Sequence, residues 1–198
     1  MKKSMNSIKQ NVLPQLQGFD FENNMIYKVP VGDILSGFYI EKTTTAYYVW
    51  LYFQPLILKA DGINFTFSHR LRDSKGSSQF FFDRFVDQDW KQFVGILKDN
   101  IALIESVQDI EVFYKYFKKK ATSFNMKLGL AFIEAYLNLD GADRNLKEAQ
   151  LMLGSDIEWK LELKTTIELM LISTLEKRRE MFLDWKLKNI KKIAPLLR

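Results

Sequence analysis

The stretch AYYVWLYFQPLIL, residues 46–58, places five aromatic rings in the seven positions from Tyr47 to Phe53 and then meets a proline. Aromatic and β-branched side chains suit a pleated strand, and strand geometry sends alternate residues to opposite faces. Tyr47, Val49, Leu51 and Phe53 form one row, and Tyr48, Trp50, Tyr52 and Gln54 form the other. Both rows are apolar enough to need cover, which predicts a central strand with helices on one face and an aromatic layer on the other. Pro55 carries no N–H, so the ladder is expected to bend or break beside it. The row Tyr48, Trp50, Tyr52 supports a second reading, in which the rings are a platform for a base, a sugar or a partner's side chain.

Working outward, residues 25–29 (MIYKV) and 35–42 read as further strands, the first ended by Pro30 and Gly32, with Thr43-Thr44-Thr45 as a link. Lys59-Ala-Asp-Gly62 reads as a hairpin turn, because glycine accepts positive φ. The next segment, INFTFSHRL (residues 63–71), alternates cleanly. Ile63, Phe65, Phe67, His69 and Leu71 are expected on a dry face and Asn64, Thr66, Ser68 and Arg70 on a wet one. Residues 72–78 read as a polar loop and 79–85 as one more short strand. Short links between consecutive strands imply an antiparallel meander.

Before the strands, Ile8, Val12 and Leu16 have helical spacing, with Ser4 or Asn6 as a cap, Pro14 as a kink or end and Gly18 as the stop. After them the spacing is helical throughout. Asp87 or Asp89 caps a helix carrying Trp90, Phe93, Val94, Leu97, Ile101 and Ile104. Residues 109–120, 126–139 and 146–153 follow as helices, the last two stopped by Asp140-Gly141 and Gly154. Ser155 or Asp156 opens a final stretch that is either one long helix or two broken near Ser173-Thr174. The expectation is an α+β fold. A short helix and an antiparallel meander of about four or five strands occupy residues 1–86, and a C-terminal helical bundle of about five helices occupies residues 87–198, as two domains or one continuous one.

Composition narrows the chemistry. The chain has no cysteine and one histidine, which removes disulfides, thiolate metal sites and the common zinc arrangements. Gly-x-Ser-x-Gly, phosphate-loop and dinucleotide patterns are absent. Asp83, Asp87 and Asp89 lack calcium-loop spacing, and helix capping accounts for at least one of them. No catalytic residue, cofactor or metal is therefore assigned. His69 reads as a packed core histidine; an enzyme built around it, helped by Asp73 or Asp83, is the third-ranked function. No stretch approaches the length of a membrane span, and residues 1–10 are followed by no apolar signal core, so a cytoplasmic protein is expected.

Charge is placed unevenly. Residues 176–198 carry eight basic and three acidic residues and hold the whole excess of +5. Leu171, Leu175, Phe182, Trp185 and Ile193 form an apolar stripe among these cations, either packing inward or meeting a partner. Lys118-Lys119-Lys120 is a second basic run, at a helix end where positive charge suits the macrodipole. The partner-binding candidates are Tyr48, Trp50 and Tyr52 on the aromatic strand, and Arg178, Arg179, Lys186, Lys188, Lys191 and Lys192 on the basic stretch. The leading expectation is a non-catalytic protein-interaction module of accessory, inhibitor or immunity type, its Lys-, Asn-, Ile- and Phe-rich composition leaning towards a bacterial source. Nucleic-acid binding through the basic helix is the second, and a homo-oligomer is compatible with either.

Overall fold

The computed structural model describes residues 2–29, 31–60, 62–153 and 158–197. Among the described residues the fold is α+β: a short helix, a five-stranded antiparallel sheet and then six α-helices. The chain forms two compact units, the first Met1–Pro55, Ile63–Asp109 and Ile193–Arg198, the second Leu56–Gly62 and Ile110–Lys192.

In the first unit, α1 (Lys2–Asn11) buries Met5 and Ile8 and is followed by Val12 and Leu16, also buried. Pro14 ends the α-helix rather than kinking it: a tighter 3-10 turn, Leu13–Gln15, takes over there. The sheet runs β1 (Phe19–Glu22), β2 (Met25–Lys28), β3 (Ile34–Lys42), β4 (Tyr47–Pro55) and β5 (Phe67–Arg70), each strand beside its sequence neighbour. β4 is an inner strand, paired along its whole length with β3 and over four residues with β5. β1 is absent from the sequence expectation. Its hairpin with β2 turns on Asn23 and Asn24, at φ 48° and 67°, which is the two-residue turn of positive φ that matches strand twist. Gly37 lets β2 and β3 approach: a Cβ there would stand 2.0 Å from the Ile26 carbonyl oxygen.

Helix α2 (Asp87–Ser106) buries Trp90, Phe93, Val94, Leu97 and Ile104, as its spacing predicts. Asp89 caps it by accepting the Val86 N–H at 2.9 Å. Phe82 stacks on Trp90 (5.6 Å) and meets Tyr47 (4.9 Å), so α2 covers the Tyr47–Val49–Leu51–Phe53 face of the sheet.

Three local expectations fail here. Only Phe67–Arg70 of residues 63–71 is strand. The Asn64 N–H bonds the Gln54 side chain, the Asn64 side chain takes the Thr66 N–H, and the Ser68 hydroxyl bonds the Phe65 carbonyl. These polar side chains give the backbone an alternative to the ladder; the turn expected at residues 59–62 includes Asp61, which lies outside the described residues. His69 is exposed rather than buried, on β5, which among the described residues pairs with β4 at the end of the sheet order. Residues 79–85 make no strand but a single bridge, Phe80 to Tyr47, and a 3-10 turn, Phe82–Arg84.

The second unit contains α3 (Ile110–Lys118), α4 (Phe124–Leu137), α5 (Ala142–Met152), α6 (Glu158–Ile172) and all of α7 (Leu175–Ile193) but its last residue. Ser123 caps α4 by accepting the Met126 N–H, and Asn138 closes it at φ 53°. The final stretch is two helices: it breaks at Ser173 and Thr174, and the Thr174 hydroxyl caps α7 by accepting the Lys177 N–H at 3.3 Å. The expected stop at Gly154 and start at Ser155 or Asp156 lie outside the described residues, as do Pro30, Arg198 and the side chain of Ser4.

Candidate functional site

The aromatic strand divides. Tyr52 is fully buried under the edge of Phe65 (5.6 Å), its hydroxyl 3.7 Å from Met25 Sδ. Burial drives its phenol pKa far above the ordinary tyrosine value, with Tyr27 nearby adding to the rise. Tyr52 therefore presents no surface to a partner. Tyr48 and Trp50 are half-exposed, and Arg70 of β5 lies over both rings, 4.1 and 4.5 Å from their centres. The Trp50 indole N–H donates to Glu41 Oε2 at 2.8 Å, and Arg70 Nη2 stands 3.5 Å from the same oxygen. The flat ring faces are thus already covered by a guanidinium, a contact favourable by about 0.5–1 kcal/mol at an exposed site. A planar ligand would have to displace Arg70. The carboxylates expected to assist His69 are engaged elsewhere: Asp73 accepts the Lys75 and Ser77 N–H groups, and Asp83 the Tyr47 hydroxyl.

The basic stretch also divides, by helix face. Phe182, Asn189 and Ile193 are buried and Trp185 is half-buried. Phe182 meets Tyr136 at 5.4 Å and Trp185 meets Phe132 at 5.8 Å, so this face of α7 packs on α4. Asn189 fixes the rotation of the helix: its amide donates to the carbonyl oxygens of Leu56 (2.7 Å) and Leu58 (2.6 Å). Arg178 is a structural cation. Its guanidinium holds Asp143 with two contacts (2.6 and 3.3 Å) and donates to the Met170 carbonyl at 2.6 Å. Lys188 pairs with Asp184 at 2.6 Å, and Lys192 reaches the Ala60 carbonyl at 3.3 Å. Arg179 and Lys191 are exposed and Lys186 is half-buried.

The outward side of α7 carries a second apolar stripe that the sequence reading did not separate from the first. Leu183, Leu187 and Ile190 are 51%, 65% and 40% exposed. They recur at spacings of four and three, one line along a helix. Helix α6 also exposes Leu161, Leu169 and Ile172, but Thr165 and Glu168 interrupt that line.

Inside the second unit, Glu134 of α4 is buried and accepts hydrogen bonds from the Tyr114 hydroxyl of α3 (2.6 Å) and the Asn145 amide of α5. It lines a cavity of about 290 Å³ beside Lys118, Lys127 and Leu128. Burial, then the bond to Glu134, raise the Tyr114 phenol; the bond to Tyr114 raises Lys118 in turn. Both Glu134 oxygens are committed to protein donors, so the cluster ties three helices together. Among the described residues no group of three or more His, Asp or Glu side chains is arranged to hold a metal ion, and no helix is long and apolar enough to cross a membrane.

The architecture is thus an antiparallel sheet backed by a helix, with a separate helical unit whose last helix is apolar on two sides. No protein-family model, curated protein or solved structure matches the chain.

Proposed function

We propose that the chain is a non-catalytic protein-interaction module that docks a partner through the outward face of α7. The observation that carries the reading is the line Leu183–Leu187–Ile190, three large aliphatic side chains exposed on a helix whose opposite face buries Phe182, Asn189 and Ile193. Being 40–65% exposed, these side chains forgo roughly half of the about 1.5–3 kcal/mol that full burial contributes, and one apolar line per helix is the pattern by which a helix seats in a groove. Arg179, Lys186 and Lys191 flank the line and select an acidic rim on whatever covers it. Arg178 and Tyr52, which are committed to the protein's own interior, take no part.

A photoreactive phenylalanine analogue at position 187 tests this in extract of the source cells. A discrete protein adduct is expected. It should persist at about 0.5 M salt, since apolar contacts are not screened, and disappear when Leu183 and Ile190 are both changed to Glu. No adduct, or one indifferent to those substitutions, refutes the reading. An adduct to nucleic acid that vanishes with salt would favour phosphate binding by the lysines instead.

A further inference from the structure

We propose that a cavity beside the start of α2 binds a small quaternary ammonium compound, holding its trimethylammonium group between phenylalanine rings and two carboxylates. The site lies within the first unit and is independent of α7. The cavity, of about 230 Å³, is lined by Phe80, Phe81, Phe85 and Phe93 together with Asp73 and Asp89. That volume falls below the ~300 Å³ at which drug-sized pockets begin, so the occupant is small.

The rings converge because the chain turns sharply here. Phe80 bridges to Tyr47, the 3-10 turn Phe82–Arg84 follows at once, and Phe93 belongs to α2. The Phe93 ring centre lies 5.2 Å from that of Phe80 and 6.3 Å from that of Phe85. Phe80 and Phe93 are buried and close the inner end. Phe85 is half-buried and Phe81 is 40% exposed, so these two rings meet solvent at the mouth. Arg84 stands 5.6 Å from the centre of the Phe81 ring but does not line the cavity, so its guanidinium does not fill it.

The electrostatics favour a cation. Ring faces attract positive charge. Asp73 receives the Lys75 and Ser77 N–H groups on Oδ1, and Asp89 receives the Val86 N–H on Oδ2. Asp73 Oδ2 and Asp89 Oδ1 accept no hydrogen bond from the described residues, and both side chains are half-buried. Lys75 also lines the cavity, so two carboxylates against one ammonium leave a single negative charge in excess. The positive end of α2 points the other way, but Asp87 and Asp89 in its first turn offset it. The head group follows from the walls. A primary ammonium is tightly hydrated and brings three N–H donors, for which phenyl rings offer no lone pair. A trimethylammonium group has no N–H to satisfy; its methyl groups touch the rings while the carboxylates feel its charge.

Amide NMR titration of the full chain with choline, to about 20 mM, tests the proposal. Resonances of Ser77, Gln79 and Phe81 should shift and saturate, with half-saturation near 1 mM, about what so small a ligand reaches in an open site. The neutral isostere, in which a tert-butyl group replaces trimethylammonium, should bind about tenfold more weakly, and so should ethanolamine. Phe81→Leu keeps an apolar side chain at an exposed position but removes the ring face; it should weaken choline about threefold and leave the isostere unchanged. Asp73→Asn with Asp89→Asn keeps acceptor oxygens for the turn and the cap while removing both charges, and should weaken choline about tenfold. Absence of a saturable shift overturns the proposal, as do shifts centred on another surface. Choline binding no tighter than its isostere or ethanolamine, or unmoved by both sets of substitutions, overturns it too. Free choline and phosphatidylcholine carry the same group, and cosedimentation with phosphatidylcholine vesicles separates them. Capture by the vesicles assigns the site to the lipid headgroup; choline binding without capture assigns it to the free compound.

Discussion

Asn189 carries more structural consequence than any other polar side chain of α7. It is 2% exposed, and its amide nitrogen donates to two carbonyl oxygens of the segment that follows β4. Changing Asn189 to Ala removes both donors. The Leu56 carbonyl is buried and is left without this donor, at a cost of about 2 kcal/mol; that of Leu58 is only partly buried and regains water, at about 1 kcal/mol. The sum, about 3 kcal/mol, should lower a urea midpoint by about 1.5 M for a slope of about 2 kcal/mol/M. Asn189→Asp is the sharper control. It keeps the shape, but at neutral pH it points a carboxylate at two carbonyl oxygens, so it should be more damaging than Ala. Below about pH 4 the protonated acid regains one donor and the order of the two variants should reverse. Urea denaturation followed by tryptophan fluorescence reads both effects. A loss under about 0.5 kcal/mol in Asn189→Ala, or no pH-dependent reversal, would show that Asn189 does not set the rotation of α7, and the outward stripe would lose its structural basis.

Other expectations concern different contacts. Gly37→Ala should abolish folding or cost more than about 3 kcal/mol, since the new Cβ would fall 2.0 Å from the Ile26 oxygen, a backbone atom that cannot move aside; a normal thermal melt would contradict the β2–β3 approach. Tyr52 holds its proton in the folded state to higher pH than in the unfolded chain. Its contribution is therefore fully present below about pH 10 and is lost as pH rises further, so Tyr52→Phe should flatten the alkaline loss of stability, and an unchanged slope would place Tyr52 in water. Arg178→Lys should not restore what Arg178→Ala loses, about 2–3 kcal/mol, because a lysine cannot reproduce the two-pronged hold on Asp143; full rescue measured by thermal melting would refute that role.

How far the sequence revealed this arrangement depends on whether the deciding contact is local. β4 was legible because both its rows are apolar, and α2 because Trp90, Phe93, Val94 and Leu97 repeat every three to four residues over a long helix. β1 was missed because FDFE is short and half acidic; its signal is the Asn23-Asn24 pair, which tolerates positive φ as few other residues do. The alternation of residues 63–71 was real but overridden, since Gln54, Asn64 and Ser68 bond the backbone that a longer strand needed. Arg178 read as a surface cation because its partner, Asp143, is 35 residues away. On α7 the large rings at positions 182 and 185 drew attention to the inward face. The second stripe was present at the same time, and only the packing of Phe182 and Asn189 shows which side remains in water.

The most direct measurement is photo-crosslinking from position 187 in extract of the source cells, compared between the unchanged chain and the variant with both Leu183→Glu and Ile190→Glu. A discrete protein adduct that the double variant loses is the expected result. No adduct, or one that the double variant retains, would contradict the assignment of α7 as the docking face.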